Sequence, residues 1–157
     1  MEEVKIVNPI VEDSRIQIIT LGNPAMMQIN SIDDAYDYFK VNWTIADMLY
    51  EKKMFIAVVD SNNLVLKHYI LPDYLDFYSN PKPIIKYIGD QEKTGTTKDI
   101  KIYLAENDTF GEFTYGQHNL SFIENIKLIC QNVNISFVDQ LIISTTGYFS
   151  FKNNKLC

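Results

Sequence analysis

Ile100-Lys101-Ile102-Tyr103-Leu104-Ala105-Glu106-Asn107-Asp108-Thr109-Phe110-Gly111 reads as a strand that runs straight into a polar loop. Ile100, Ile102 and Leu104 alternate with Lys101 and Tyr103, the period of two expected of a half-buried strand. Glu106 and Asp108 follow at the strand's exit. A helix is predicted from about Asn119, with Leu120, Ile123, Ile126 and Cys130 on one face. Ile135, Phe137, Leu141 and Ile143 mark the next strand. Thr145-Thr146-Gly147 then turns into a closing strand over Tyr148–Phe151.

Upstream, Ser31 reads as an N-cap, with Asp33 and Asp34 in the first turn, where carboxylates complement the helix dipole. Ile32, Ala35, Tyr36, Phe39, Trp43, Ala46 and Tyr50 recur at spacings of three and four, which predicts one long core-facing helix. Met54–Val59 and Leu64–Leu71 are apolar runs joined by Asp60-Ser61-Asn62-Asn63, a β-hairpin. Pro81 and Pro83 precede a short helix over Ile84–Ile88. Gly89–Lys98 reads as a polar loop. The order of helix, hairpin, short helix, strand, helix and hairpin predicts an α/β (α+β mixed) domain, a single mixed sheet flanked by helices. Residues 1–28 read as a leader or arm, with a strand over Arg15–Leu21 and a turn at Gly22-Asn23-Pro24. The domain proper is placed at 29–157.

The 157 residues suit one domain with a sizeable core, and 46% are hydrophobic. The formal charge of -6 and the lack of any basic run longer than Lys52-Lys53 disfavour nucleic acid as a partner. No apolar run is long enough to span a membrane, and the start lacks the pattern of a signal peptide, so a cytoplasmic location is expected. Cys130 and Cys157 form no Cys-x-x-Cys pair and read as reduced thiols.

The loop at Glu106, the hairpin turn at Asp60–Asn63 and the ending Val138-Asp139-Gln140-Leu141-Ile142-Ile143 with Gly147-Tyr148-Phe149-Ser150 together resemble the RadC-like JAB/MPN (JAMM) family, in its short single-domain form common on bacterial mobile elements. The resemblance covers most of the chain and implies a cytidine-deaminase-like architecture. In that family the loop reads Ala-His-Asn-His-Pro-Ser-Gly, and its two histidines bind zinc together with an aspartate eleven residues beyond the second. Zinc and a nearby carboxylate base there generate hydroxide. In this chain the three ligand positions are Glu106, Asp108 and Asn119. The Pro-Ser is Thr109-Phe110, the serine at the start of the next helix is Gly116, and a histidine after the tail aspartate is Gln140. No glutamate lies between Glu51 and Glu92 to serve as base, and Pro72–Tyr78 replaces a Gly-rich segment.

These departures predict vestigial metal positions, no catalytic residues, no metal and no cofactor: a structural or protein-interaction module with a protein partner still to be identified. Self-association through the leader or exposed sheet edges is a further expectation. The family's link to DNA repair is fold-level analogy. One enzymatic alternative is a metal-dependent hydrolase holding Mg²⁺, Ca²⁺ or Mn²⁺ on Glu106, Asp108 and Asp73 or Asp76. His118 is weighed as a substitute ligand against a surface role at a helix start, and His68 as a packed imidazole. Tyr74, Phe77 and Tyr78 are the candidate interaction surface, against the plainer reading that their rings fill the old cleft.

Overall fold

Met54–Val59, strand β3, is buried along its whole length because it lies inside the sheet with packed layers on both faces. Met54, Ile56 and Val58 join one core cluster, and Phe55, Ala57 and Val59 the other. A strand covered on both sides reads as a continuous apolar run rather than an alternation. The computed structural model describes residues 3–7, 16–20, 27–43, 45–71, 74–92, 99–109 and 112–157. The remaining strands are β1 (Glu3–Val7), β2 (Ile16–Thr20), β4 (Val65–Leu71), β5 (Ile100–Asn107), β6 (Ile135–Ile143) and β7 (Tyr148–Ser150). They form one sheet of seven strands in the order β1-β2-β4-β3-β5-β6-β7. The β5–β6 pair is parallel and the others antiparallel, so the sheet is mixed as expected.

The helices are α1 (Ile32–Asn42), α2 (Ile45–Tyr50), α3 (Tyr74–Ser79), α4 (Lys82–Glu92) and α5 (Gln117–Asn132). Ala35, Tyr38 and Phe39 of α1 and Met48 of α2 pack on one face of the sheet, while α3, α4 and α5 supply the other core. The parallel β5–α5–β6 unit puts Glu106 at the end of β5, beside Ile142 of β6.

Several predicted boundaries move. The single helix over 31–50 is two helices. The Asn42 side-chain amide donates to the Tyr38 carbonyl at 2.8 Å, and Trp43 is extended as the C-cap. That break lets the Trp43 ring stack on Phe55 at 4.0 Å between centroids, while Tyr50 ends up exposed. The loop read from Gly89 is helical as far as Glu92, and residues 93–98 lie outside the described part. A glycine inside a helix costs about 1 kcal/mol relative to alanine, and packing overrides it here. Glu92 holds the end of α4 by accepting from the Tyr69 hydroxyl at 2.7 Å and pairing with Lys67 at 3.2 Å. Tyr74–Ser79, within and just after the stretch that stands where the family has a Gly-rich segment, is helix α3, and α5 starts at Gln117 rather than Asn119. The strand predicted in the leader is β2, paired to β4. The turn at 22–24 lies outside the described residues.

His68 of β4 is fully buried, stacked on Phe55 and hydrogen-bonded through Nδ1 to the Tyr38 hydroxyl. Among the described residues its Nε2 has no hydrogen-bond partner. Burial disfavours the imidazolium and lowers its pKa to about 4. The unfolded chain takes up this proton near pH 6.5 and the folded one only near 4, so falling pH favours unfolding throughout that window. Urea titrations should show the native protein losing up to about 3 kcal/mol between pH 7 and 4 beyond any loss in His68→Phe. Equal losses in the two proteins would reject this assignment.

Candidate functional site

Glu106 is almost wholly buried, yet its carboxylate is surrounded by hydrogen-bond donors. Oε2 accepts from the Tyr78 hydroxyl at 2.9 Å and lies 3.7 Å from Lys52 Nζ. Oε1 accepts from Asn119 Nδ2 at 3.1 Å and Gln140 Nε2 at 3.4 Å. The same two amide nitrogens also donate to the Tyr78 oxygen, at 3.0 and 3.1 Å. An ionised carboxylate only accepts, so both amides must turn their nitrogens towards it. Burial, reinforced by the Glu106 charge, pushes the Tyr78 phenol well above its ordinary range, so it stays protonated and keeps donating.

Local structure sets each of these orientations. Glu106 is carried by β5 between β3 and β6. Asn119 sits in the first turn of α5, and its Oδ1 accepts from the Gly116 backbone N–H at 2.9 Å. Glycine has no side chain to cap the helix, so this bond back to the N-cap is the half of a capping box that the sequence permits. It commits the one good ligand atom of Asn119 to the backbone. Phe77 is fully buried and packs edge-on against Phe122, while Tyr78 is half-buried with its ring 4.2 Å from Phe122.

The structure therefore divides the predicted site residues. Glu106 and Asn119 converge. Asp108 does not join them: its Oδ2 accepts from the Phe113 N–H, closing the loop before α5. Phe77 and Tyr78 lie at or beside the site rather than on an exposed patch. The side chains of Tyr74 and Asp76, with residue Asp73, lie outside the described set. His118 is exposed on the rim of a cleft of about 550 Å³ that also reaches Lys52, Tyr78, Glu106 and Ser121. Cys130 is buried, which raises its thiol to about 12.

Zinc does not fit this donor set. A metal needs convergent lone pairs, whereas hydroxyl, amide and ammonium donors face Glu106. Among the described residues no group of three His, Cys, Asp or Glu side chains is placed to hold a metal ion. Glu106, Tyr78, Asn119 and Gln140 instead form one hydrogen-bond network.

Asn107 is the residue that sequence reasoning passed over, although the family loop carries asparagine at the same place. It is fully buried, accepts from the Lys53 N–H at 2.8 Å and donates to the carbonyls of Met48 and Glu51 at 2.9 and 2.7 Å. It thereby ties the α2–β3 connection to the end of β5. Asp139 is equally buried and accepts from the Ser150 hydroxyl and, at 2.9 Å, the Lys152 N–H. Burial raises its pKa, and those hydrogen bonds oppose the rise. The distinctive ending of the chain is thus a clasp between β6 and β7.

A family model described as "RadC-like JAB domain" matches residues 29–156. The chain belongs to the RadC-like JAB domain family. No curated protein matches it. Among the described residues no helix of this RadC-like JAB domain is long and apolar enough to cross a membrane.

Removing the Tyr78 hydroxyl takes a donor from Glu106 and an acceptor from two amides. Tyr78→Phe should destabilise the domain by about 1–3 kcal/mol in urea unfolding. Adding Glu106→Leu should then cost less than it does in the native background, a positive coupling in the double-mutant cycle. Strict additivity would mean that the network does not act as a unit.

Proposed function

We propose that this RadC-like JAB domain is catalytically inactive and acts as a structural or protein-interaction module. The observation that carries this reading is the set of donors around Glu106. In a working JAB site these positions supply electron pairs to zinc, and zinc with an open coordination position poises a hydroxide. Here Tyr78, Asn119 and Gln140 supply donors to a carboxylate, and Lys52 balances its charge. Asp108 is spent on the Phe113 N–H. The Glu106 carboxylate already accepts from three side-chain donors, so a metal there would have to displace them.

A carboxylate-bound hydrolytic metal is the competing reading. It would require Glu106 to give up these partners and Asp108 to leave its loop bond. Elemental analysis of the purified chain, combined with assay against peptide and isopeptide bonds, separates the two. The expected outcome is less than about a tenth of an equivalent of zinc, manganese or other transition metal after dialysis, and no turnover with or without added metal. One equivalent of metal, lost in Glu106→Ala together with a measurable hydrolytic rate, would overturn the inactive reading.

A further inference from the structure

The strand that ends in the Glu106 site begins, at its other end, in a different cavity. Lys101 on β5, Lys127 on α5 and Lys152 after β7 line a pocket of about 610 Å³, together with Asn63, Ser136 and Phe137. That volume is within the range of small-molecule sites. Among the described residues no aspartate or glutamate lines it, although the chain carries 20 acidic against 14 basic residues. Lys101 Nζ is fixed by Asn63 Oδ1 at 2.9 Å, a neutral partner that leaves its charge uncompensated. Lys127 and Lys152 form no ion pair among the described residues.

Two carboxylates act on residues of the pocket wall, and each is held by hydrogen bonds of its own. Asp139 accepts from Ser150, the Lys152 N–H and the Cys157 thiol. Asp34 accepts from the Asn30 backbone N–H at 2.9 Å and, in its own helix, stands next to Asp33. Burial and the Asp139 charge push the Cys157 thiol up to about 11, so that side chain stays a thiol at neutral pH. Burial likewise holds the Tyr103 phenol above its ordinary range, leaving a hydroxyl rather than a phenolate beside the lysines. Three lysines from three separate elements thus line one pocket, and among the described residues none of them is in an ion pair, although the Asp139 and Asp34 charges reach its Tyr103 wall. Lysine serves phosphoryl oxygens well as a compact point charge.

We propose that this pocket binds a small phosphoryl-bearing anion, held by Lys101, Lys127 and Lys152 with the Asn63 and Ser136 side chains as neutral partners. Phe137 supplies an apolar wall for any organic part. The site is separate from Glu106 and does not depend on whether that centre is inactive.

The test is calorimetric titration of the full chain with inorganic pyrophosphate and, separately, with ADP at low ionic strength. One saturable site is expected, weakening as salt is added. Lys127→Gln and Lys152→Gln, both at exposed positions, should each weaken it by about threefold or more, and the triple variant with Lys101→Gln should abolish it. The control Lys82→Gln/Lys86→Gln removes two charges from α4 and should leave it unchanged. Tighter binding of ADP than of pyrophosphate would assign the Phe137 wall to an organic group, and equal affinity would assign the site to the phosphoryl group alone. Absence of saturation, or equal weakening by the control, would overturn the proposal and reduce the lysines to diffuse surface charge.

Discussion

A buried carboxylate must be partnered, and Glu106 makes that rule the organising constraint of this domain. An isolated charge at the end of β5 would shift its protonation or unfold the strand end. The chain answers with a hydroxyl from α3, an amide from α5, an amide from β6 and an ammonium ahead of β3. Those four contributions come from three different elements and the connection ahead of β3. The centre is a point of convergence held by donors around a carboxylate. A metal ion holds ligands by their lone pairs; a carboxylate holds donors by their protons. The two arrangements demand opposite chemistry from the same positions.

The residues shared with the family are those whose work is mechanical. Asn107 fixes the α2–β3 connection by three hydrogen bonds, and the Asp139–Ser150 contact clasps β7 to β6. Both are buried, and an unpaired amide or carboxylate at either place would be strongly destabilising. This explains why the chain remains recognisable as a RadC-like JAB domain after the metal ligands have changed. The backbone needs these bonds whatever the centre does, whereas histidine is needed only by zinc.

Much of the fold was legible because burial writes itself into spacing. The double-sided burial of β3 appears as Met54–Val59, an unbroken apolar run, and β5 as the alternation from Ile100. Boundaries were less legible where a tertiary contact overrides a local preference. Gly89 suggested a loop, but Tyr69 and Lys67 hold Glu92 and so the last turn of α4. Trp43 continued a helical period, but its stacking on Phe55 is made from an extended C-cap. At the site, the sequence singled out Glu106, Asn119, Tyr78 and Gln140 for different reasons and in different groups. Nothing in their spacing, which runs from position 78 to 140, says that four atoms meet within hydrogen-bond distance. Asp108 shows the converse, since its neighbourhood to Glu106 in sequence does not make it a neighbour in function.

The sequence by itself determined the fold class, the family and the absence of imidazole at positions 106 and 108, because periodicity and residue identity are local properties. Only the tertiary structure decided what replaced the imidazoles. Whether a carboxylate faces lone pairs or protons depends on which way distant amides are turned, and that is fixed by partners such as the Gly116 N–H rather than by the amide's own identity. The convergence of Lys101, Lys127 and Lys152 on one pocket has the same origin: charge is counted along a chain, but its local balance exists only in the folded arrangement.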